Sequence, residues 1–172
     1  MFRDRIARPL GLTTLTWPGT SPRLPDPHSQ AYQLFPGDGM IDTTDQVNGD
    51  PDSINGTTHD LTTFFRALLS GRLLHPVQLG QMQQTVAISP DIAKIWPQGR
   101  YGLGLVRRPL SCGGFFWGHD GGEGGSNQVT GVTADGRRSA VVTMSTSLSD
   151  SFERLVEQQH AGDVLIDHAL CG

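Results

Sequence analysis

The sequence predicts an α+β fold in which helices precede and follow an antiparallel sheet. Two observations on the 172-residue chain support this prediction. Apolar residues recur every three or four positions within residues 58–87 and 149–170, which is the period of an amphipathic helix. Between residues 100 and 148 the apolar residues alternate or form short runs separated by turn residues, as strands do.

The composition describes one domain with many loops. A chain of 172 residues can bury a core, and its 22 glycines and 11 prolines supply many turns. The net charge is −4 and the arginines are scattered, which excludes a basic surface for nucleic acid. No apolar run approaches the ~20 residues of a membrane span, and the first residues lack the pattern of a signal peptide.

Residues 1–57 are predicted to hold a short helix and a long loop. Apolar residues at helical spacing predict the helix at 2–8, and Pro9 ends it. Residues 13–56 lack sustained periodicity, apart from a short strand predicted at 31–35. Turn residues of this loop stand at 17–19, 22–27, 36–39 and 48–51. A loop this long is typically functional or covers another part of the fold.

Residues 58–87 are predicted to form two helices. The first has Thr58 as its N-cap and ends before Gly71, which suits the position after a helix. Its buried face is predicted to consist of Leu61, Phe64, Phe65, Leu68 and Leu69. The second begins near Pro76, since proline fits the first helical turn. Its apolar face is predicted to consist of Leu79, Met82 and Val86.

Residues 100–148 are predicted to form an antiparallel meander because short turns join consecutive strands. The four strands are predicted at 101–107, 113–118, 127–133 and 138–145. A C-terminal helix is predicted at 149–170, with Ser149 or Asp150 as its N-cap.

The stretch 115–125, Phe-Phe-Trp-Gly-His-Asp-Gly-Gly-Glu-Gly-Gly, carries the candidate chemistry. Three aromatic residues that suit a buried strand run into a glycine-rich segment with His119, Asp120 and Glu123. Glycines suit a place where the backbone itself approaches a ligand. The segment is therefore either the rim of an active site or a loose hairpin loop with a solvated histidine.

Two further interpretations of these residues have weaker support. His119, Asp120 and Glu123 are too close in sequence to match an established metal-ligand spacing. A catalytic triad of Ser111 or Ser126 with His119 and Asp120 lacks the Gly-x-Ser-x-Gly motif of a nucleophile elbow.

The order of several short motifs resembles the C-terminal half of the serine β-lactamase-related family. This family includes class C β-lactamases, D-alanyl-D-alanine carboxypeptidases and penicillin-binding-protein-like enzymes. The motifs are Thr-Thr-His-Asp-Leu (57–61), Leu-Leu-Ser-Gly-Arg-Leu-Leu (68–74), Tyr-Gly-Leu-Gly-Leu (101–105) and Gly-His-Asp-Gly-Gly (118–122). The resemblance covers residues 2–148 and implies part of the transpeptidase-like fold, an antiparallel sheet with flanking helices.

The resemblance also implies site residues. His119-Asp120-Gly121 matches the family's Lys/His-x-Gly motif, which makes His119 the basic catalytic residue. The backbone N–H of Gly122 then contributes to the oxyanion hole. Asp120 and Gly121 are expected to bind substrate, although an anionic residue replaces the usual hydroxyl or small residue at position 120. The resemblance implies no metal and no cofactor.

The family's other two motifs do not occur in these 172 residues. The chain has one lysine, Lys94. Asp91 stands three positions before it, where the Ser-x-x-Lys motif requires serine. Neither Tyr32 nor Tyr101 is followed two positions later by asparagine, so Tyr-x-Asn is absent too. Ser53-Ile54-Asn55 mimics a Ser-x-Asn motif, and we interpret it as a loop. We therefore expect a fragment that starts after both motifs, lacks the nucleophile and is inactive alone.

The implied function is a serine hydrolase that acts on an amide or ester through an acyl-enzyme. A cell-wall peptide, a β-lactam and a simple ester all remain open as substrates. The alternative is a non-catalytic module that keeps the cleft for peptide or cell-wall ligands. Because the resemblance covers only the C-terminal half of the family's fold, it also implies self-association through an uncovered sheet edge.

The resemblance further implies a secreted or extracytoplasmic protein. From the residues alone, Cys112 and Cys171 either pair or remain free thiols. With a secreted family and a C-terminal helix that folds back across the sheet, we expect a Cys112–Cys171 disulfide.

Overall fold

The structure, a computed structural model, describes residues 2–17, 23–47 and 53–172. It confirms the predicted α+β fold: an antiparallel sheet packs between helices on its two faces. Of the predicted turn residues, 18–19, 22 and 48–51 lie outside the described residues. No helix in the described ranges is long and apolar enough to cross a lipid bilayer.

The elements follow one another as helices, strands and a final helix. The helices are a π-helical turn at Arg3–Ala7, α1 (Arg8–Leu10), a 3₁₀ turn at Thr44–Gln46, α2 (Thr58–Leu69), α3 (Pro76–Met82), α4 (Ile92–Ile95) and α5 (Phe152–Cys171). The strands are β1 (Tyr32–Phe35), β2 (Gly39–Asp42), β3 (Val86–Ala87), β4 (Arg100–Tyr101), β5 (Val106–Pro109), β6 (Phe115–Gly118), β7 (Gly121–Glu123), β8 (Ser126–Thr133), β9 (Ser139–Met144) and β10 (Thr146–Ser147).

The main sheet is the predicted antiparallel meander, in the order β3-β4-β5-β6-β8-β9. Strand β7 continues the line of β6 along the same side of β8, so the pairs Trp117↔Val132 and Gly121↔Gln128 belong to one register. The strand predicted at 101–107 is wrong, because the chain reverses at 102–105 to form the hairpin β4–β5. Gly104 allows this reversal with φ of 70°.

The core has one layer on each face of the sheet. On one face Trp117 and Val132 pack against α2 through Phe65 and Leu68. On the other face Phe116 and Val129 pack against α5. The contacts from α5 come from Ile166 and Leu170, both fully buried. Neighbouring residues of β6 therefore anchor opposite helices, which fixes the position of the segment that follows this strand.

Three helix-end predictions are wrong by a few residues, each because a tertiary contact decides. The N-cap of α2 is Thr57, whose hydroxyl accepts the Asp60 N–H. Helix α3 ends at Met82 because the Met82 carbonyl accepts the Leu103 N–H, so Val86 lies in β3. The two side chains predicted to cap α5, Ser149 and Asp150, have other partners.

The N-cap of α5 is Ser151, whose hydroxyl accepts the Arg154 N–H. Ser149 cannot serve because its hydroxyl donates to the Leu34 carbonyl and accepts from Gln33. Asp150 instead pairs with Arg154 at 2.8 Å. The predicted helix therefore begins at Phe152 and runs to Cys171.

Part of the predicted long loop forms a second, smaller sheet. The strand predicted at 31–35 is confirmed as β1, which pairs with β2 and runs parallel to β10. After β2, the Thr43 hydroxyl donates to the Gly124 carbonyl at 2.5 Å. This small sheet therefore packs directly against the glycine-rich turn between β7 and β8.

The predicted disulfide is confirmed. Cys112 and Cys171 are bonded, with their Cα atoms 5.8 Å apart. The bond ties the last residue of α5 to the turn between β5 and β6. Asp167 strengthens the same junction by accepting hydrogen bonds from the N–H and hydroxyl of Ser111 at 2.8 and 2.5 Å.

Candidate active site

The His119-Asp120-Gly121 motif lies where the sheet opens between β6 and β7. We call His119–Gly122 the rim segment. Strand β5 starts at Val106 opposite Gly118, and the preceding residues turn away into the β4–β5 hairpin. In the described part of the chain no other strand pairs with β7 on the side away from β8. The rim segment therefore has one open edge.

Gly118 is the residue that lets the rim segment approach β8 so closely. A Cβ at this position would lie 2.0 Å from the Thr130 carbonyl oxygen. Since backbone cannot move aside as a side chain can, any other residue here would push β6 away from β8. The glycine before His119 is thus required by packing, whatever chemistry follows it.

The imidazole of His119 is held at both nitrogens. Its Nδ1 lies 2.7 Å from the Asp120 carbonyl oxygen, and its Nε2 lies 2.9 Å from the Tyr101 hydroxyl. The rings of Trp96 and Tyr101 contact it edge-on, each with a centroid distance of 5.7 Å. His119 is therefore a fixed, half-buried side chain and not a mobile loop residue.

The Asp120 carboxylate points away from the open edge into a buried polar cluster. Its side chain is 9% exposed. Oδ1 accepts from Arg108 at 2.8 Å, and Oδ2 accepts from the Trp96 indole at 2.6 Å and the Gln159 amide at 2.8 Å. The role of Asp120 in substrate binding stays a prediction. These contacts favour a positioning function for its carboxylate, with any substrate contact made by the backbone.

Arg108 joins this cluster to α5. Its guanidinium is 3% exposed, lies over the Phe116 ring at 4.8 Å and donates to Asp163 at 2.6 Å. We call Arg108, Asp120, Gln159 and Asp163 the Asp120 network. It links β5, the rim segment and α5, so the helix helps to fix the segment that carries His119.

Asp163 is a carboxylate of the Asp120 network whose pKa is raised above its ordinary value. Burial raises the pKa of Asp163 to about 6, and the negative charge of Asp120 adds to this effect. The positive charge of Arg108 and the hydrogen bond from Gln159 oppose it. Together, Arg108, Asp120 and Asp163 carry a net charge of −1 when both carboxylates are ionised. A proton on Asp163 makes this group neutral.

The raised pKa of Asp163 predicts a pH dependence of stability. Its folded-state pKa lies above the ordinary value of 3.8, so the folded protein binds this proton more tightly than the unfolded chain does. The stabilisation is therefore complete below pH ~4 and is lost as the pH rises through about 6. Asp163→Asn should remove this loss, which we estimate at roughly 2 kcal/mol. Urea unfolding of both proteins between pH 4 and 7 measures it.

Asp167→Asn is the matched control on the same helix. Hydrogen bonds from Ser111 lower the pKa of Asp167, so this carboxylate contributes stability that is lost as the pH falls. That loss lies below pH ~4, so between pH 4 and 7 Asp167→Asn should leave the slope of the profile unchanged, whereas Asp163→Asn removes the fall in stability. Parallel profiles for Asp163→Asn and the unmodified chain would contradict the raised pKa of Asp163.

A cleft of about 470 Å³ borders the rim segment. One side is formed by residues of β7 and β8: Gly121, Gly122, Glu123, Ser126, Asn127 and Gln128. The opposite side is largely apolar and includes Phe2, Leu15, Ile54, Leu61 and Phe64. Gly121 and Gly122 thus line the cleft, whereas His119 and Asp120 do not. The roles predicted for all four residues stay predictions.

Ser53, Ile54 and Asn55 also line this cleft. The Asn55 backbone pairs with Thr16 through hydrogen bonds of 2.8 and 2.9 Å. The segment is thus an ordered loop opposite β7, consistent with our interpretation of the Ser-x-Asn resemblance.

The structure does not form the weaker alternatives. Ser111 bonds Asp167, 56 positions away, and Ser126 pairs with Glu123 in the β7–β8 hairpin. The described ranges contain no group of three His, Cys, Asp or Glu side chains placed to hold a metal ion. His119 contacts a phenol and a carbonyl instead of a serine.

Sequence reasoning missed most of the polar partners. Trp96 was not predicted as a partner of Asp120, but its indole donates to that carboxylate. Arg108 was not singled out from the sequence, and it is buried. The signal available was its position two residues after Val106, because such residues share one face of a strand and a buried charge requires a partner. Gln159 and Asp163 gave no such signal, since polar residues are common on helices.

The fold and the site together define a class of protein. A meander flanked by helices, with a His-x-Gly motif at a break in one strand beside a cleft, is the sheet region of the β-lactamase-like or penicillin-binding-protein-like fold. The family model named Beta-lactamase matches residues 1–164. The chain therefore belongs to the Beta-lactamase family.

Solved structures share this fold. A D-stereospecific amidohydrolase from Streptomyces sp. is 36% identical with a TM-score of 0.74, and the match covers 93% of this chain and 47% of that chain. D-amino acid amidase from Ochrobactrum anthropi SV3 is 23% identical with a TM-score of 0.71, covering 95% and 48%. An octameric penicillin-binding protein homologue from Pyrococcus abyssi is 16% identical with a TM-score of 0.67, covering 95% and 36%. The chain spans about half the length, or less, of these proteins.

Proposed function

We propose that this chain forms the sheet side of the active site of a serine hydrolase that cleaves the amide bond of a D-configured substrate through an acyl-enzyme. The observation that carries the proposal is the placement of Gly121 and Gly122 in the cleft directly after a fixed histidine. Membership of the Beta-lactamase family supports the reaction class. The 36% identity to a D-stereospecific amidohydrolase supports the substrate class.

In this proposal the rim segment supplies electrostatic stabilisation. A backbone N–H at Gly122 would face the oxyanion that forms when the amide carbonyl is attacked. His119 does not line the cleft formed by this chain alone, and in this proposal it would face the same carbon once the other side of the site is present. The nucleophile and its base come from outside these 172 residues, because Ser-x-x-Lys and Tyr-x-Asn do not occur in them. The chain alone should therefore form no covalent adduct with a penicillin-type probe.

A chimera tests the proposal. The matching 47% of the Streptomyces amidohydrolase would be replaced by this chain, so that the remaining part supplies the other motifs. We expect hydrolysis of D-phenylalanine amide in preference to the L isomer. His119→Ala in the chimera should lower kcat/KM by roughly 10²-fold, the scale of one general acid or base. His119→Lys should keep more activity at pH 7 than His119→Ala.

The chimera needs a structural control and a clear negative outcome. His28→Ala is suitable, since His28 makes only local contacts, to Asp26 and Ser29. It should leave kcat/KM unchanged. A folded chimera that hydrolyses the amide equally well with and without His119 would remove this residue from the mechanism. Equal rates on both enantiomers would contradict the substrate class.

The absence of a nucleophile motif favours one alternative, a non-catalytic module that binds peptide or cell-wall ligands in the cleft. Such a module would bind a D-amino acid amide without any partner segment. Equilibrium dialysis of the chain alone with D-phenylalanine amide separates the two proposals, because half of an active site should bind the amide too weakly to detect.

The cellular location and the self-association of the protein are also proposals. The Cys112–Cys171 disulfide supports a secreted or extracytoplasmic location, where such bonds persist. The apolar side of the cleft and the open edge of β7 support self-association of the isolated chain.

A further inference from the structure

The hydrogen bonds of His119 determine which ring nitrogen carries the proton. A carbonyl oxygen can only accept, and the Asp120 carbonyl lies 2.7 Å from Nδ1. Nδ1 must therefore be the protonated nitrogen of the neutral ring. Nε2 then carries a lone pair, so the Tyr101 hydroxyl, 2.9 Å away, is the donor to it.

This arrangement leaves the neutral imidazole without a proton to donate to a substrate. When the ring takes up a proton at Nε2, the new N–H donates to the Tyr101 oxygen. The phenol O–H is then released and can donate elsewhere. One proton is gained at the ring, none is lost at the phenol, and the change appears at the Tyr101 oxygen.

We propose that Tyr101 is a positioning residue for His119: its hydroxyl donates to Nε2 of the neutral Nδ1–H ring, and it exposes its own hydroxyl proton when the ring is charged. Trp96 supports this pair, because its ring stacks on Tyr101 at 6.2 Å and meets His119 edge-on. The tautomer rests on these contacts alone. Its consequence for catalysis rests on the proposed function.

The charged groups around the pair are compensated by other partners. On β5, Arg108 is bound to Asp120 and to Asp163 of α5. On β4, Arg100 donates to the side chain and carbonyl of Thr85. From β8 the contact is neutral, a hydrogen bond from the Gln128 amide to the His119 carbonyl. Tyr101 is therefore the titratable side chain in direct contact with the imidazole among these elements.

Nitrogen NMR of the chain itself tests the tautomer. The six histidines would be labelled with ¹⁵N, and His119 would be assigned by the signal lost in His119→Gln. At alkaline pH we expect a protonated Nδ1 and an unprotonated, hydrogen-bonded Nε2 for His119. Tyr101→Phe should move the Nε2 resonance toward that of a nitrogen without a donor, while Nδ1 stays protonated because the Asp120 carbonyl still accepts from it.

Tyr32→Phe is the matched control, because the Tyr32 hydroxyl bonds Gln30 on the exposed surface. It should leave the His119 resonances unchanged. An Nε2–H ring in the unmodified chain would overturn the proposal. So would an Nε2 resonance that does not respond to Tyr101→Phe while the spectrum of the remaining chain shows an intact fold.

The chimera described above tests the catalytic consequence. Tyr101→Phe should lower kcat about tenfold with little change in KM, since the lost contact acts on His119 and not on substrate binding. An unchanged kcat would limit Tyr101 to a structural role. Because the NMR measurement requires no turnover, an inactive chimera would count against the proposed function without affecting the tautomer.

Discussion

Arg108→Met should lower the free energy of unfolding by about 3–5 kcal/mol, the usual cost of removing one partner of a buried ion pair. The substitution leaves the Asp120 carboxylate, 9% exposed, without its charged partner. Asp163 can relieve part of the cost by taking up a proton, because burial already raises its pKa to about 6 and the substitution removes the Arg108 charge that opposes this rise. Urea unfolding at pH 7, followed by circular dichroism, gives the value.

The neighbouring arginine is the matched control. Arg107 is half-buried and lies over the Phe115 ring at 4.8 Å, so Arg107→Met should cost less than about 1 kcal/mol. Combining Arg108→Met with Asp120→Asn should recover stability, because the isolated charge is removed as well. A loss for Arg108→Met no greater than that for Arg107→Met would show that the Asp120 network does not stabilise the fold.

Replacing both Cys112 and Cys171 by serine should lower the free energy of unfolding by about 4 kcal/mol. The bond joins residues separated by 59 positions, and it restricts the unfolded chain over that whole loop. The comparison is made by urea unfolding of the double variant and of the unmodified chain. Reduction of the unmodified chain by dithiothreitol should produce the same loss.

Opening the disulfide should destabilise the C-terminal end of α5 first. The freed end of this helix includes Ile166 and Leu170, which pack against the sheet, and the helix also carries Asp163. Amide hydrogen exchange should therefore rise in the last turns of α5 before it rises in α2. Equal unfolding free energies with and without the bond would mean that helix packing alone restricts this part of the chain.

The sequence was sufficient to predict the helices at 58–69 and 152–171 and the meander, because each rests on a strong local period. The prediction of helix ends was less accurate, since Thr57 and Thr58 are both good N-cap residues and only the fold selects one of them. The same holds at Ser149, where a contact with β1 removes a residue that would otherwise cap α5. Local chemistry offered several equivalent choices, and tertiary contacts decided between them.

The candidate site was predictable as a segment but not as a geometry. The His119-Asp120-Gly121 motif identified the rim segment, and the structure places its glycine beside a cleft. The direction of the Asp120 side chain was not predictable, because it depends on Arg108, Gln159 and Asp163 from distant parts of the chain. No spacing rule connects these residues, since they meet only when α5 packs on the sheet.

The small sheet of β1, β2 and β10 has a consequence for how the protein folds. Its contacts join residues far apart in the chain: Thr43 and Gly124 are 81 positions apart, and Gln33 and Ser149 are 116 apart. Such pairings form slowly, because a long loop must close before any contact offsets the entropy lost. Helix α2 and the β8–β9 hairpin need no such closure. The glycine-rich turn against which Thr43 packs, and with it the rim of the cleft, should therefore be among the last parts of the chain to reach their final geometry.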